Sequence, residues 1–469
     1  MIWNFEKYND NIAVITETGE HISYSKLAQY CSELAVNIKK RCLVFNLCKN
    51  ELGSLVGYVG ALNARIVPLM VKADLDEGLL DQLINVYKPD YINLPADMVE
   101  RFADCKIVYE NLGYALLKTQ YDSVYPLNDD LALLLTTSGS TGSPKLVRQS
   151  YKNIEANTKS IVDYLGLSQS ERAITTLPMN YTYGISIINT HLAVGASIIL
   201  TEKTLMQKEF WQQLKDYEAT SFGGVPYTYE MLNRLRFERM QLPALRYVTQ
   251  AGGKLSPQLH EKFAKWAIDA GKKFIVMYGQ TEATARMSYL PAEMALEKYG
   301  SMGIAIPGGR LCLVDSDGKE ISEPETIGEL VYYGDNVTLG YAECGEDLAK
   351  GDERHGRLET GDMAKFDKDG YFFIVGRKKR FLKIFGNRVN LDETEQLLKA
   401  EFNACDFACS GVDDKMYVFV TDKSVKNDVL NFLVNKLKFN AIAFKIVFVE
   451  SIPRNESGKI LYKDLPNEA

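Results

Sequence analysis

The cysteine patterns of a metal site or a disulfide framework are missing from this sequence. Eight cysteines occur among 469 residues, and none of them belongs to a CxxC pair. Cys405 and Cys409 lie four residues apart without a nearby histidine, which argues against a zinc site. Reduced, mostly buried thiols in a cytoplasmic protein are the simpler expectation.

Basic blocks and long apolar runs are missing as well. The formal net charge of −7 is spread along the chain and no RNA-type aromatic motif occurs, so nucleic acid is not an expected partner. Residues 185–200 form the most apolar long stretch, but Asn189, Thr190 and His191 interrupt it. This pattern predicts a buried helix followed by a strand, not a membrane span. Residues 1–7 lack the apolar core of a signal peptide, and we expect a cytoplasmic protein.

Strand and helix patterns alternate over the first three hundred residues. Hydrophobic residues make up 46% of the chain, which allows a large core, and the length suggests two or three domains. The predicted strands cover 41–46, 65–70, 131–137, 197–201 and 274–278, and the predicted helices cover 24–39, 151–165, 209–217 and 257–270. Such alternation is typical of parallel α/β layers.

The pattern changes at about residue 309. Short strands at 310–314, 328–333 and 371–375, with Asp-Gly turns between them, predict an antiparallel β-rich subdomain. The basic stretch 377–380 leads into a smaller α+β unit, whose predicted elements are helices at 391–400 and 425–437 and strands at 417–421 and 445–449. The expected fold is mixed α/β. It has a large N-terminal domain, residues 1–378, with the β-rich subdomain at about 309–378, and a small C-terminal domain, residues 379–469.

A loop of small and hydroxylated residues follows the predicted buried strand at 131–137 and ends in Lys145. Its glycines let backbone N–H groups turn toward one point, its hydroxyls add donors and the lysine adds a mobile positive charge. This chemistry predicts a polyphosphate cradle, with a helix beginning near Tyr151. It is not the common P-loop, because Lys145 lies three residues after Gly142. A flexible surface linker would fit poorly behind a buried strand.

A second group is the sequence YGQTE at 278–282, which follows a predicted strand and lies downstream of QAGG at 250–253. An aromatic ring beside glycines offers a stacking face with room for backbone to approach. The hydroxyl and carboxylate that follow offer a phosphate donor and a magnesium ligand. Taken alone, the motif could equally be a strand-to-loop corner.

Three further segments are weak indicators of function when each is considered alone. Thr360-Gly361-Asp362 could place a carboxylate on a ribose diol, although an ordinary Asp turn is the commoner explanation. The charged stretch from Gly376 to Arg388 reads as a solvated face. The sequence PRNESGK at 453–459 presents Lys459 on a turn, and a lysine near a chain end is usually solvated.

In this order, the segments resemble the adenylate-forming (AMP-binding) synthetase superfamily of acyl-CoA synthetases, peptide-synthetase adenylation domains and beetle luciferase. The resemblance runs from about residue 131 to residue 465 and leaves the first 130 residues without motifs. The matching patterns are TSG-[ST]-TG-x-PK, the GEL…GY block at Glu329-Leu330 and Gly340-Tyr341, and PRxxSGK.

The resemblance implies an acid–thiol ligase. Such an enzyme uses ATP and Mg²⁺ to activate a carboxylic acid as an acyl-adenylate, releases pyrophosphate, and passes the acyl group to coenzyme A or to the phosphopantetheine of an acyl carrier protein. Three alternatives stay open. They are a stand-alone amino-acid or hydroxy-acid carrier-protein ligase, an adenylate-forming amide ligase, and a degenerate nucleotide-binding regulatory protein.

The resemblance also assigns the ATP and magnesium site. Tyr278 would stack on adenine, Asp362 and Arg377 would contact the ribose, and Glu282 would hold Mg²⁺. The hydroxyls of the phosphate loop would ligate phosphate oxygens, with Thr281 as a further donor. The full nucleotide-binding set is Thr137, Ser138, Gly139, Ser140, Thr141, Gly142, Lys145, Gly253, Tyr278, Gly279, Gln280, Thr281, Asp362 and Arg377.

The C-terminal residues would serve the two half-reactions in turn. By resemblance, Lys459 contacts the carboxylate and the bridging oxygen during adenylation, and the small domain then rotates about a hinge at Lys379. Lys383, Gly386 and Arg388 would then form the face for thiol transfer, in which the glycine lets the pantetheine arm pass close to backbone. A solvated strand lysine is the alternative for Lys383.

The acid would lie in a pocket whose expected lining is Tyr181, Thr182, Ile185, Val225, Gly252 and Ala283. Amino-acid-activating relatives commonly carry an aspartate where this chain has Thr182. Burying a substrate ammonium without that counter-ion would be costly, which disfavours an amino-acid substrate. Two further departures, Leu146 for a glycine and Tyr151 for a histidine, remove none of the phosphate donors.

Overall fold

The computed structural model describes residues 2–136, 145–378, 380–385, 387–455 and 458–466. The chain divides into two compact units. The first comprises Met1–Leu311 with Tyr332–Leu358, and the second comprises Cys312–Val331 with Glu359–Ala469.

The described strands follow in chain order. They are β1 (Ile12–Ile15), β2 (His21–Ser23), β3 (Leu43–Cys48), β4 (Val67–Lys72), β5 (Tyr91–Pro95), β6 (Lys106–Asn111), β7 (Tyr114–Lys118), β8 (Leu131–Thr136), β9 (Leu146–Ser150), β10 (Arg172–Ile174), β11 (Ser197–Ile199), β12 (Ser221–Gly224), β13 (Tyr247–Gln250), β14 (Lys273–Tyr278), β15 (Ser288–Tyr289), β16 (Ile304–Ala305), β17 (Arg310–Val314), β18 (Glu320–Ile321), β19 (Gly328–Tyr333), β20 (Gly340–Ala342), β21 (Arg357–Phe366), β22 (Phe372–Arg377), β23 (Phe381–Ile384), β24 (Asn387–Asn390), β25 (Phe407–Val412), β26 (Lys415–Val420) and β27 (Phe444–Phe448).

The described α-helices are α1 (Tyr24–Ala35), α2 (Leu52–Asn63), α3 (Glu77–Tyr87), α4 (Tyr151–Leu165), α5 (Thr182–Val194), α6 (Lys208–Asp216), α7 (Pro226–Arg234), α8 (Pro257–Asp269), α9 (Leu391–Glu401) and α10 (Lys426–Leu437). The helix predicted from Tyr151 is confirmed as α4. The apolar stretch at 185–200 is confirmed as a buried helix, α5, followed by the strand β11. Among the described residues, no helix is both long and apolar enough to cross a membrane.

Two large sheets organise the first unit. One has the strand order β16-β15-β14-β13-β12-β10-β11-β1-β2, and the other has the order β20-β9-β8-β4-β3-β5-β7-β6. The largest core cluster combines residues of α1, α2 and α5 with residues of β1 and β11 from one sheet and β3 and β8 from the other. Helix α2 is buried from Leu52 to Leu62, as expected for a helix enclosed within a core. The mixed α/β fold class predicted from the sequence is confirmed.

Strand β9 is an element that the sequence did not predict. It pairs antiparallel with β8 and occupies the five residues between Lys145 and α4. The sequence did not indicate this strand because Arg148 lies at its centre, and a charged residue in so short a segment is more typical of a loop. The Arg148 side chain is nevertheless fully buried, where its guanidinium donates to the carbonyls of Tyr341 and Leu339 and pairs with the Glu353 carboxylate.

The second unit contains most of a five-stranded sheet of order β18-β17-β19-β21-β22, the hairpin β23–β24, and a three-stranded sheet of order β25-β26-β27. Helices α9 and α10 share an apolar cluster with the last of these sheets, as expected for an α+β unit. This division groups residues 359–378 with the C-terminal segment, whereas the sequence predicted a boundary at residue 379. The predicted hinge, Lys379, lies outside the described residues and stays a prediction.

Candidate active site

Three neighbouring parallel strands of the nine-stranded sheet, β12, β13 and β14, end at one edge. Val225 follows β12, Gly252 and Gly253 follow β13, and Tyr278 is the last residue of β14. In open α/β sheets, ligands bind in the crevice outside the carboxyl ends of the strands. The structure therefore brings the YGQTE corner and part of the predicted acid pocket together at a ligand-binding edge.

Tyr181, Val225 and Gly252 are contiguous at this edge. A Cβ atom added at Gly252 would lie 2.7 Å from the Tyr181 hydroxyl oxygen and 3.1 Å from Cγ1 of Val225. The φ angle of Gly252 is +84°. Only glycine combines this backbone conformation with so close an approach. Burial raises the pKa of Tyr181, so its hydroxyl stays protonated at neutral pH.

The other predicted pocket residues are placed differently. Ala283 is fully buried, and the Thr182 hydroxyl donates to the carbonyl of Thr284, which ties the start of α5 to the loop after β14. Ile185 packs in the large core cluster, whereas Tyr181 and Val225 pack in another one. The structure does not group Ile185 with the other pocket residues, because its position in α5 turns it toward that core.

The loop after β14 folds tightly back on itself. A Cβ atom at Gly279 would overlap the carbonyl oxygen of Ala285, so only glycine fits there. Thr284 adopts φ +65° and ψ −48°, a costly conformation for a β-branched residue. Tyr278 and Gln280 are half-buried at the mouth of this loop, and the Gln280 amide donates to the Tyr278 hydroxyl at 3.3 Å.

The backbone of Glu282 is held by a segment some fifty residues further along the chain. Its carbonyl oxygen accepts from the Thr338 amide and hydroxyl, each at 3.0 Å, and from Arg354 Nη1 at 3.1 Å. The sequence analysis missed Thr338 and Arg354, because neither belongs to a recognised motif. These hydrogen bonds fix the backbone from which the Glu282 side chain extends.

Tyr341 orients the carboxylate itself. Its hydroxyl donates to Oε1 of Glu282 at 2.7 Å. Lys145 Nζ lies 3.7 Å from the centre of the Tyr341 ring, and the guanidinium carbon of Arg354 lies 4.6 Å from it. Burial, with the Glu282 carboxylate, raises the pKa of Tyr341 to about 12, so the phenol remains a donor at neutral pH. The sequence noted Tyr341 only as part of the GY pattern.

Asn336 completes the support of this loop. Its amide nitrogen donates to the carbonyls of Ala283 and Arg286, each at 2.9 Å, and its oxygen accepts from the Tyr332 hydroxyl at 2.8 Å. No sequence signal marked Asn336. A buried amide with three satisfied hydrogen bonds is typical of a residue that fixes a neighbouring loop.

The donor set at Glu282 fits a magnesium ion that is shared with phosphate groups. Among the described residues, Oε2 of Glu282 has no hydrogen-bond partner. No group of three or more His, Cys, Asp or Glu side chains in the described part of the chain could hold a metal by itself. Mg²⁺ usually takes one or two carboxylates and completes its shell with phosphate oxygens and water.

In the second unit, Asp362 and Arg377 lie opposite each other on β21 and β22. Arg377 Nε lies 3.3 Å from Oδ1 of Asp362, and the aspartate is buried while the arginine is exposed. Thr360-Gly361-Asp362 is thus part of a strand, not the ordinary Asp turn that was its alternative. On the adjoining Lys378, the ammonium pairs with Glu329 of the GEL pattern at 2.6 Å.

Lys459 lies in a closed loop of the same unit. Its amide donates to Oδ1 of Asn455 at 2.9 Å, and Arg454 and Ile460 form a bridge that closes the loop. Arg454 also forms an ion pair with Asp406 at 2.7 Å. These contacts fix the backbone from which the Lys459 side chain extends.

Lys383 is exposed on β23, where it pairs with Arg388 on β24. Its amide donates to Oδ1 of Asp413 at 2.8 Å, and Asp414 accepts from the Phe385 amide at 2.6 Å. The roles predicted for Lys383 and Arg388 stay predictions. Eight of the proposed site residues lie outside the described residues, namely Thr137, Ser138, Gly139, Ser140, Thr141, Gly142, Lys379 and Gly386.

Comparison with known proteins decides the family. The profile of the family described as AMP-binding enzyme matches residues 2–342. The chain belongs to this family. A similar relative, the peroxisomal OPC-8:0-CoA ligase 1 of Arabidopsis thaliana, is 32% identical and covers 72% of this chain, which spans 64% of that protein. The oxalate–CoA ligase of the same plant is 29% identical, with 71% of this chain and 66% of that protein covered.

The fold of the whole chain matches that of solved family members. The o-succinylbenzoate CoA synthetase of Bacillus subtilis, solved with an acyl-adenylate intermediate, superposes with a TM-score of 0.80. The match covers 98% of this chain and 96% of that one at 19% identity. The adenylate-forming superfamily predicted from the motifs is confirmed, as is its arrangement of a large N-terminal and a small C-terminal part.

Proposed function

We propose that this AMP-binding enzyme activates a carboxylic acid with ATP as an acyl-adenylate and then transfers the acyl group to the thiol of coenzyme A. The observation that carries the proposal is the way in which hydrogen bonds hold Glu282 in the loop after β14. A carboxylate fixed through both its backbone and its side chain lies at the ligand-binding edge of the sheet. Lys145 of the predicted phosphate loop lies over the ring of Tyr341, whose hydroxyl donates to this carboxylate. The names of both relatives, OPC-8:0-CoA ligase and oxalate–CoA ligase, support coenzyme A as the acceptor.

In this proposal, ATP binds across the family motifs. Lys145 and the hydroxyls that precede it hold the phosphates, Tyr278 stacks on the adenine, and Asp362 accepts hydrogen bonds from the ribose. Arg377 pairs with Asp362, which holds that carboxylate in place. Glu282 would hold Mg²⁺, which would neutralise charge on the phosphates.

The adenylation step joins two anions, so the point of attack needs positive charge. The acid's carboxylate is ionised at neutral pH and attacks the α-phosphorus directly, and pyrophosphate leaves. Lys459 stabilises the developing negative charge and takes no proton. In the second step the thiol attacks the acyl carbon and AMP leaves, with Lys383, Gly386 and Arg388 forming the face where the pantetheine arm enters. Rotation about Lys379 would exchange the two faces.

An amino acid is a poor substrate for this site. The Thr182 hydroxyl carries no negative charge for an ammonium group, and it already donates to the Thr284 carbonyl. Burying an ammonium without a counter-ion costs free energy. We therefore favour a simple acid and coenzyme A over the amino-acid carrier-protein ligase.

A cytoplasmic location also stays a proposal. None of the eight cysteines, all of which lie within the described residues, forms a disulfide bond, and five of them are buried. Cysteines without disulfide bonds are typical of a reducing compartment.

The test of this function is acid-dependent exchange of labelled pyrophosphate into ATP, followed by thioester detection. The purified protein is screened with short-chain, medium-chain, aryl and amino acids at saturating Mg²⁺. Exchange with at least one acid, and a thioester when coenzyme A is added, are the expected results. Absence of exchange across the panel would overturn the function, and exchange without any thioester would overturn the acceptor.

A further inference from the structure

Arg286 is a buried cation that has no carboxylate partner among the described residues. It lies on the loop between β14 and β15, and only 3% of its surface is exposed. Its guanidinium carbon lies 3.9 Å from the centre of the Tyr183 ring, and its Nε donates to Sδ of Met277 at 3.4 Å. Among the described residues, Arg286 forms no salt bridge with an Asp or Glu carboxylate. A buried guanidinium whose neighbours are a ring, a thioether and the Tyr164 hydroxyl, with no carboxylate among the described residues, is under-compensated in charge.

The backbone of Arg286 is fixed on both sides. Its carbonyl accepts from the side-chain amides of Asn157 and Asn336, each at 2.9 Å, and its own amide donates to Oδ1 of Asn157 at 3.3 Å. The two asparagines are themselves buried. The guanidinium is thus held in place before any ligand binds, which lowers the entropic cost of binding one.

Arg286 lines a small cavity. The cavity has a volume of about 20 Å³, and its wall includes Tyr183, Tyr247, Thr249 and Met277. The Tyr247 hydroxyl is a second buried polar group here that has no hydrogen-bond partner among the described residues. This space admits about one water molecule or the oxygens of one small polar group.

The cavity adjoins the predicted acid pocket. Tyr183, Val225 and Met277 belong to one apolar cluster, against which Tyr181 packs, and the rings of Tyr181 and Tyr183 lie 6.4 Å apart. Burial raises the pKa of Tyr181 and of Tyr183, and the positive charge of Arg286 opposes this rise in both. A short acid whose reacting carboxylate lies at the Tyr181 edge would therefore direct its far end at Arg286.

We infer that Arg286 is a specificity-determining residue that receives a second carboxylate at the far end of a short dicarboxylic acid substrate. The inference rests on the proposed acid activation and names its substrate class. The guanidinium would pair with the distal carboxylate and the Tyr247 hydroxyl would donate to it. The guanidinium would thereby gain a carboxylate, and the Tyr247 hydroxyl would gain a hydrogen-bond acceptor. A monocarboxylic acid of the same length would leave the buried cation unpaired, which is the source of discrimination.

The first experiment uses the unaltered protein. Pyrophosphate exchange is measured with succinate, glutarate and adipate and with butanoate, pentanoate and hexanoate, the monocarboxylates of equal carbon number. We expect kcat/KM to be about 10–100-fold higher for the dicarboxylates, the range for a charge-assisted hydrogen bond. Exchange that favours the monocarboxylates, or treats both alike, would overturn the role of Arg286 and leave the proposed function intact. No exchange with any acid of the wider screen would overturn the function itself.

Two variants then separate binding from packing. Arg286→Met keeps the volume of the side chain but removes its charge, so KM for the dicarboxylates should rise to the level of the monocarboxylates while kcat changes little. Arg286→Lys should retain part of the preference. Arg246→Met is the control, because Arg246 lies half-exposed before β13 at the opposite end of the sheet. A preference that survives Arg286→Met would contradict the assignment, and the comparison of acids with the unaltered protein remains decisive if this variant does not fold.

Discussion

The Tyr341 hydroxyl donates to Oε1 of Glu282 across 2.7 Å, although the two residues lie 59 positions apart. The contact links two sequence patterns that are separate along the chain, YGQTE and GEL…GY. It leaves Oε2 of the carboxylate available on the side where Mg²⁺ and phosphate are proposed to bind. Tyr341, to which the sequence assigned no role beyond its motif, thus becomes the residue that orients the proposed metal ligand.

Removal of this hydroxyl should weaken the use of magnesium. In Tyr341→Phe the ring still packs between Lys145 and Arg354, but the carboxylate loses its donor. Partners that orient a metal ligand typically contribute about 10–100-fold to metal affinity or activity. We expect the Mg²⁺ concentration for half-maximal exchange to rise by about that factor. Tyr333→Phe is the control, since its hydroxyl contacts Arg357. An unaltered Mg²⁺ titration would remove Tyr341 from the metal site.

Lys459 should be required for adenylation. Lys459→Ala removes the positive charge that is proposed to stabilise the transition state, and loss of one such group typically lowers the rate by about 10²–10³-fold. The measurement is acid-dependent pyrophosphate exchange. Lys463→Ala is the matched control, because Lys463 is an exposed lysine four positions further on. Normal exchange by the Lys459 variant would show that the mechanism is wrong.

Gly279 should tolerate no side chain. A Cβ atom there would overlap the Ala285 carbonyl, and backbone on both sides of the overlap is held by hydrogen bonds. We expect Gly279→Ala to lower the free energy of unfolding by about 1–3 kcal/mol, as overpacking does, and to lower exchange activity. Urea denaturation measures the first effect. Gly351→Ala provides the comparison, since a Cβ atom there would meet only Asn128 Nδ2 at 4.0 Å. Equal stability of the two variants would refute the overlap.

His260 should make stability depend on pH. Burial lowers its pKa from 6.5 to about 4, and its Nδ1 accepts from the Gly300 amide at 3.1 Å. The unfolded chain then binds a proton at a higher pH than the folded chain. The free energy of unfolding is therefore not reduced by His260 above pH 6.5. As the pH drops toward 4, it falls by on the order of 2–3 kcal/mol, because the unfolded chain takes up a proton that the folded chain does not.

The variant His260→Asn keeps a side chain that can accept the Gly300 amide but has no titrating group. Its midpoint of thermal unfolding should change less than that of the unaltered protein between pH 7 and pH 4.5. His355→Asn, at an exposed position, should keep the original slope. The same slope in all three proteins would show that His260 does not titrate in this range.

The sequence by itself determined the fold class and the family. Alternating apolar runs and helical periods are local signals, so β8, α4, α5 and β14 could be predicted within a few residues. Each motif is also a short local segment, and the order of the motifs along the chain identified Glu282, Asp362 and Lys459 as candidate site residues without any knowledge of their contacts. Strand β9 escaped because buried Arg148 depends on carbonyls and a carboxylate about two hundred residues away.

Only the tertiary structure decided how the site is supported and provided the basis for the acid that we infer it favours. Thr338, Arg354 and Asn336 bind the Glu282 loop through hydrogen bonds that join positions more than fifty residues apart, and no periodicity records such contacts. Arg286 looks like an ordinary loop arginine in the sequence. Its burial, its cavity and the absence of a carboxylate partner among the described residues follow from packing of α5 against β12, β13 and β14. A charge becomes a recognition group only when the fold removes water from around it.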